Sequence, residues 1–479
     1  MTWPNILALE YMLQTNQINP EIEMKAREYI NIGYQRLLTF ECVSGGFGWY
    51  GDTCEPILTA YGLMMFADMA RVHYVDPALI NRTQEWLIVR QERAGSWPPD
   101  KNRHHFNRLD NSLQSTAYVM WALIHSGYSK NASQILKAGE YIKANMEESN
   151  DIYTLALCVN ALLEADPKDS AALSVLDYLQ THAIAEEDNV YWSAEGESVT
   201  YSRGSYLNLE TTAMITMALI KGGWQYPQSI NGALNYIIEQ KEARGHWGQT
   251  QATVLSLRVF MMSLFSTNTS EEPEGEIIIT INDKTLDKND MPILKITPID
   301  TSILRLIDLT PFTLDRENTV SVNLRGEGNL LYQIVGTYFL PWGEVFIPQD
   351  PPLVIDVAYD RTMLTVDDII TCTVTVTNTI PESVTKIGMI DLGISPGFRI
   401  FWEDFEQAIE EGKIFKYEST NRQLSLYLHP VYYKEPLTIT YRMQAKYPLK
   451  VSTPKSVAYD YYNPNLKGET KPITLTVTE

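Results

Sequence analysis

Residues 86–97 read Trp86-Leu87-Ile88-Val89-Arg90-Gln91-Glu92-Arg93-Ala94-Gly95-Ser96-Trp97: an aromatic side chain, a Gln five residues on, then Gly-x-Trp. The order returns in Tyr236-Ile237-Ile238-Glu239-Gln240 leading to Gly245-His246-Trp247, with the inner spacings shifted by one. Tyr34 leading to Gly46-Phe47-Gly48-Trp49 is a weaker third copy. Each residue type has a physical task in such a unit. Gln ends a helix and bonds backbone groups of the next turn. Gly takes the left-handed conformation that terminates the helix, and Trp covers the end of the neighbouring pair. Helix pairs recurring every ~50 residues predict a closed or stacked helical array.

The surrounding sequence agrees. Ile6, Leu7, Leu9, Tyr11 and Met12 open a helical series. Segments 20–39, 55–71, 77–91, 112–126, 133–146, 151–165, 169–182, 207–221, 228–241 and 250–265 continue it, with apolar residues three and four apart. Leu58, Tyr61, Gly62, Met65 and Phe66 form one such face. Frequent Ala, Gly and Ser permit close helix packing. Breakers separate the segments, among them Ser44-Gly45-Gly46, Pro98-Pro99, Asp166-Pro167 and Gly222-Gly223.

Past the polar stretch 266–275 the period changes to two. Strands are expected at 276–281, 293–297, 302–307, 319–324 and 330–337. Beyond Pro348-Gln349-Asp350-Pro351-Pro352 they are expected at 353–359, 369–378, 386–391, 414–418, 423–428, 437–445, 455–462 and 473–477. Thr371-Cys372-Thr373-Val374-Thr375-Val376-Thr377 alternates as a half-buried antiparallel strand does, which makes Cys372 a buried small side chain. The last ~130 residues fit an immunoglobulin-like sandwich. The fold class is multidomain α + β: an α/α toroid, a small β domain and a β-sandwich.

The chain has 479 residues and a formal net charge of −21. Nineteen basic and 29 acidic residues precede the linker, 19 and 30 follow, so the acidity is spread along a self-repelling surface. A nucleic-acid binder needs the opposite sign, and so does a cationic peripheral membrane protein. No apolar run reaches the ~18–20 residues of a membrane span, so no membrane insertion is expected. The stretch Met1-Thr2-Trp3-Pro4-Asn5 does not read as a signal peptide. Cys42, Cys54, Cys158 and Cys372 are too few and scattered for a disulfide framework, and none forms a CxxC. Cys42 and Cys54 pair only if the loop between them folds back; two unpaired thiols are the default. The Asn81, Asn131 and Asn268 sequons matter only in a chain secreted by a eukaryote.

Repeats of this kind resemble those of α/α-toroid proteins in general. Terpene cyclases and prenyltransferase β-subunits share them, so the toroid alone leaves function open. The order of parts is more specific. Asn5-Ile6 with Leu9-Glu10-Tyr11, then Gly33-Tyr34-Gln35-Arg36, Gly45-Gly46-Phe47-Gly48-Trp49 and Leu58-Thr59-Ala60-Tyr61-Gly62-Leu63 resembles the thioester domain of the alpha-2-macroglobulin and complement family. Residues 276–347, with Leu331-Tyr332-Gln333-Ile334 near their end, look like the small CUB-like β domain that follows it. Asp391-Leu392-Gly393-Ile394-Ser395-Pro396-Gly397-Phe398, Ala445-Lys446-Tyr447-Pro448 and Tyr459-Asp460-Tyr461-Tyr462-Asn463-Pro464 look like the C-terminal receptor-binding macroglobulin domain. The resemblance implies domains at 1–266, 275–348 and 352–479. It also implies a role in protease inhibition or surface defence and an extracellular or periplasmic setting.

The family's chemistry lies in a Gly-Cys-Gly-Glu-Gln motif whose Cys and Gln form an internal thioester, an acyl group that acylates amines or hydroxyls once exposed. No Cys-x-Glu-Gln occurs in this sequence. The expectation is a C-terminal piece beginning just past the motif: a truncated gene, a mis-called start, a split product or a stand-alone derivative. Some family members carry a His that directs transfer to hydroxyls. The matching loop is Pro98-Pro99-Asp100-Lys101-Asn102-Arg103-His104-His105-Phe106, so His104 or His105 is the candidate vestigial acyl-transfer residue. A metal site from this pair lacks a third ligand. His246 is read as structural, and His73, His125, His182 and His429 lack a constellation. The family presents lysines to a receptor on a short helix; here that helix, 403–411, is acidic, and receptor binding is not carried over.

The leading expectation is a non-enzymatic fragment acting by protein–protein contact, with proteases or cell-surface targets as partners and with no cofactor or metal. A toroid enzyme of the terpene cyclase or prenyltransferase kind is the alternative; the helical half has no Asp-x-Asp-Asp or Asp-Asp-x-x-Asp, and Glu186-Glu187-Asp188 falls in an expected loop. A stand-alone structural or adhesive module is the third reading.

Overall fold

Helices alternate between two burial patterns along the first half of the chain. In the computed structural model α1 (Thr2–Gln14), α3 (Pro56–Met69), α5 (Ser112–His125), α7 (Ile152–Ala165), α9 (Gly204–Lys221) and α11 (Thr250–Ser266) are the inner set. α5 is buried at every position from Leu113 to Ile124, and α7 and α9 are nearly as enclosed. The outer set, α2 (Pro20–Leu38), α4 (Pro77–Ile88), α6 (Ser133–Met146), α8 (Ser170–Thr181) and α10 (Pro227–Glu239), buries one stripe each. A helix apolar all round belongs inside and one with a single stripe belongs on a rim. α1 packs against both α3 and α11, which closes the inner ring. The face expected from Leu58 and Tyr61 is therefore too narrow: both are half-buried, while Ile57, Ala60, Leu63 and Met64 are buried as well. The structure describes residues 2–15, 20–48, 53–99, 112–223, 226–242, 245–266, 275–286, 295–296, 307–326, 332, 334–336, 350–381, 383–385, 388–419 and 423–479.

The Gln-Gly-Trp unit is a joint between one outer helix and the next inner one. After α4, Gly95 at φ +94° closes a turn in which Glu92 N–H bonds to Ser96 O at 2.8 Å and Gly95 N–H to Glu92 O at 2.9 Å. A side chain at Gly95 would also meet the Lys137 carbonyl, 2.5 Å from an ideal Cβ. Gln91 donates to Gly95 O at 2.9 Å and to Gln134 O at 2.8 Å, tying the turn to the start of α6. Trp97 Nε1 donates back to Leu87 O of α4 at 2.7 Å, and its backbone N–H donates to Thr116 Oγ1 in the first turn of α5 at 2.9 Å. The same joint forms around Trp247, through Ile237 O at 2.6 Å and Thr253 Oγ1 at 3.1 Å. Phe47 keeps only the threonine bond, to Thr59 Oγ1 at 2.9 Å, because it has no indole.

Two local features differ from expectation. Trp192 builds a further joint, with Leu179 O at 2.7 Å and Thr212 Oγ1 at 3.1 Å. It follows a β-hairpin of Ile184–Glu186 and Asn189–Tyr191; of the loop expected at Glu186-Glu187-Asp188, Glu187 and Asp188 form the turn and Glu186 ends the first strand. The hairpin packs against α10, where Gly232 leaves room for Val190. Cys42 and Cys54 form a disulfide and are not free thiols. The backbone turns back at Cys42 N–H to Gly46 O, 2.8 Å, and Glu55 N–H reaches Phe47 O at 3.0 Å, bringing the two Cα atoms to 6.2 Å, within bridging range.

By contacts the chain divides into two units, Met1–Ala194 with Leu207–Val335, and Glu195–Tyr206 with Gly336–Glu479. Within the first unit, strands Gly275–Ile281 and Val320–Gly326 pair antiparallel over Ile279, Ile281 and Leu286. The second unit holds an immunoglobulin-like sandwich. One sheet runs in the order Ile414–Ser419, Gln423–Leu428, Gly388–Gly393, Val457–Asp460, Asn463–Glu469; the other runs Phe398–Ile400, Leu437–Ala445, Ile369–Asn378, Leu353–Tyr359. Ile370, Cys372, Val374 and Val376 alternate into the shared core with Ile390, Leu424 and Ile439. Helix α12 (Glu403–Glu410) sinks Phe405 and Ala408 into that core.

Candidate functional site

Acyl-transfer chemistry needs a thiolate and a base. Cys42 and Cys54 are joined to each other. Cys158 lies within α7 with no exposed surface, and burial pushes its thiol far above the usual range. Burial likewise pushes the Cys372 thiol up to about 12 in the sandwich core. None of the four cysteines supplies a nucleophile in the folded chain. His104 and His105 lie outside the described residues, in the segment before α5.

The strongest concentration of chemistry is one that the sequence reading missed. Charged side chains from several inner helices converge on one another. Asp68 of α3, 1% exposed, accepts a hydrogen bond from Trp3 Nε1 of α1 at 2.7 Å. Its other oxygen lies 2.6 Å from His125 Nε2 at the end of α5. Arg258 of α11 forms a salt bridge with it and sits 5.2 Å from the Trp3 ring centroid. Glu10 of α1 pairs with Arg71 at 2.9 Å. Lys221 at the end of α9 pairs with Glu164 of α7 at 2.6 Å, lies 3.4 Å from Asn160 Oδ1 and stands over the Trp121 ring at 5.1 Å. Asn160 donates to Met214 O at 2.8 Å, stitching α7 to α9. His125 therefore does have a constellation. Its partners are far away in sequence, but charges within otherwise apolar helices, such as Asp68 between Phe66 and Met69, were a legible signal.

Electrostatics fix the state of this cluster. Burial alone would raise the Asp68 carboxyl, but Arg258, the His125 hydrogen bond and the Trp3 indole hold it well below the usual carboxylate range. Burial works the same way on Glu164, and Lys221 overcomes it and lowers that group. Burial lowers the Lys221 ammonium against the pull of Glu164. Lys221 also sits in the last turn of α9, where the helix C-terminus concentrates negative potential, a favourable place for a cation. Asp68 is thus the ionised centre of the cluster, held by Arg258, His125 and Trp3. Among the described residues His125 makes its side-chain hydrogen bond to Asp68. No group of three or more metal-ligating side chains occurs among the described residues. The cluster is a charge-balanced clasp across the ring.

In the sandwich, α12 carries Glu403, Asp404 and Glu406 in its first turn. Asp404 takes Arg442 in a forked contact, 2.7 Å to Nη2 and 3.0 Å to Nε, which lowers the carboxyl. Lys413 pairs with Glu411 at 2.8 Å. The outward face of the helix is thus acidic, as expected.

Two family models match. The A-macroglobulin TED domain matches residues 1–261, and the A-macroglobulin receptor binding domain matches residues 383–471. Ovostatin of Gallus gallus is 24% identical over 96% of the chain. The chain spans 31% of that relative's length. The fold matches native alpha-2-macroglobulin of Escherichia coli from domain MG7 to the C-terminus, with a TM-score of 0.62, 14% identity, all of this chain and 72% of that one covered. It also matches Salmonella alpha-2-macroglobulin reacted with methylamine, at 0.60, 15%, 100% and 29%. The chain belongs to the alpha-2-macroglobulin/complement family and corresponds to its C-terminal part.

Proposed function

We propose that the chain acts by non-covalent protein–protein contact, in protease trapping or surface defence, without acyl chemistry of its own. The state of its cysteines carries this reading: two are bonded to each other and two are buried with raised thiol pKa values. The working parts are a toroid over 1–266, a CUB-like domain over 275–348 and a receptor-binding-like sandwich over 352–479. His104 or His105 is a vestigial acyl-transfer histidine. The setting is extracellular or periplasmic. A disulfide between Cys42 and Cys54 supports this, since such bonds persist in oxidising compartments. No helix among the described residues is long and apolar enough to cross a membrane.

The test is incubation with trypsin and subtilisin as protease probes, followed by sedimentation and by denaturing electrophoresis. Reversible association that denaturant dissolves is expected. A conjugate that survives denaturant would show that the chain does carry acyl chemistry. Binding to surface glycans with none to either protease would favour the adhesive reading.

A further inference from the structure

Of the lysines in the described salt bridges, Lys221 is the most enclosed: its side chain is 16% exposed, against 35–61% for the others. It faces a carboxylate and a carboxamide together. Asn160 and Glu164 stand four residues apart on α7, one turn along the same face. Both reach Lys221 Nζ at the end of α9, Asn160 Oδ1 at 3.4 Å and the Glu164 carboxylate at 2.6 Å. Asn160 has no exposed surface. Its Nδ2 donates to Ala156 O at 2.9 Å and to Met214 O at 2.8 Å, which turns the Oδ1 edge toward Lys221. The Trp121 ring, 2% exposed, lies 5.1 Å from Nζ and helps to keep water out. A salt bridge alone needs only the carboxylate. An amine, an amide carbon and a carboxyl able to carry a proton, held together away from bulk water, are the parts of an amide-exchange reaction.

We propose that Lys221 and Asn160 join in an intramolecular amide bond between α9 and α7, with Glu164 carrying the proton. Glu164 takes a proton from the Lys221 ammonium, and the neutral amine attacks Asn160 Cγ. That carbon lies one C=O length, about 1.2 Å, from the oxygen that Nζ already faces, so a small side-chain rotation gives the ~3–3.5 Å of attack. The Nζ–Cγ bond forms and the Cγ–Nδ2 bond breaks, its electron pair going to nitrogen. Nζ gives up two protons in all through Glu164. Both go to the departing nitrogen, which leaves as ammonium, and Glu164 ends ionised as it began. Burial is the largest force lowering the Lys221 ammonium; Glu164 opposes it, and Arg258 and Lys130 add to it, which raises the share of neutral amine. The finished amide N–H donates to Glu164, and the bond ties together positions 61 residues apart. The step occurs once, inside the chain, and leaves no acyl group for another protein, so it is independent of the reading of function above.

The experiment is intact-mass spectrometry of the purified full chain, denatured and with the Cys42–Cys54 bond reduced, followed by sequencing of tryptic peptides. The expected mass is about 17 Da below that of the sequence, the loss of one ammonia. The digest should contain a branched peptide in which Asn160 and Lys221 are joined, and trypsin should not cut after Lys221. Glu164→Gln and Lys221→Met should each give the full mass of its own sequence and unbranched peptides, with circular dichroism confirming the fold. A native chain at its full sequence mass overturns the proposal. So does an ammonia loss without the branched peptide, the mark of a succinimide. A bond that still forms in Glu164→Gln overturns the role given to Glu164.

Discussion

Replacing Asp68 with Ala removes one carboxylate and strands three partners on three other inner helices. Trp3 Nε1–H loses its acceptor, His125 its counter-group and Arg258, 11% exposed, its salt bridge. Each hydrogen bond to a charged acceptor is worth about 1.5–3 kcal/mol, but they share one residue and do not add. Leaving a buried charge unpaired costs about 3–5 kcal/mol, so a loss near 4 kcal/mol is expected. With a urea m-value of about 2–3 kcal/mol/M the midpoint moves down by about 1–2 M, read by far-UV circular dichroism, which reports the helical unit. Paired with Arg258→Met, a double-mutant cycle should give a coupling of about 2–3 kcal/mol, because an apolar pair at this site strands no charge. The pH dependence has a definite sign. The folded carboxyl is depressed, so its stabilisation is complete above the unfolded value of about 4 and is lost as pH falls toward the folded one. The gap between wild type and Asp68→Ala therefore narrows below about pH 4. A cost under about 1 kcal/mol, or a gap constant from about pH 6 to pH 3, would refute the clasp.

Four further outcomes follow from the joints and the thiols. Trp97→Phe keeps an aromatic ring but loses the bond to Leu87 O, for about 1 kcal/mol, whereas Trp97→Ala costs about 3–5 kcal/mol; a Trp97→Phe variant as stable as the native chain would mean that the indole N–H does not hold α4. Gly95→Ala at φ +94° and against the Lys137 carbonyl costs more than the ~1–2 kcal/mol of a left-handed alanine alone, measured by the same urea titration. Ser at both Cys42 and Cys54 lowers stability by about 3 kcal/mol on the loop-closure account while the turn at Gly46 persists. The native chain should take up no thiol reagent until unfolded, when Cys158 and Cys372 react; labelling in the folded state would contradict their burial.

The toroid was legible because its joint is chemical: Gln, Gly and Trp recur at spacings that one turn and one indole hydrogen bond require. Trp192 escaped notice because a hairpin, not a glycine turn, delivers it to Thr212. The alternation of Ile370, Cys372, Val374 and Val376 made the central sandwich strand plain, whereas strands as short as Phe398–Ile400 leave too few residues for a period. The Cys42–Cys54 bond was missed because it depends on the chain folding back, which spacing alone does not fix. The clasp was missed for the same reason: Asp68, His125 and Arg258 are 57 and 190 residues apart in pairs, and only closure of the ring unites them.

The central claim is that these 479 residues carry no acyl chemistry of their own toward a target. Intact-mass spectrometry of the chain after incubation with isotopically labelled methylamine tests it directly. The account predicts an unchanged mass and no released ammonia, with the protease probes present or absent. Covalent uptake of one methylamine per chain would contradict it.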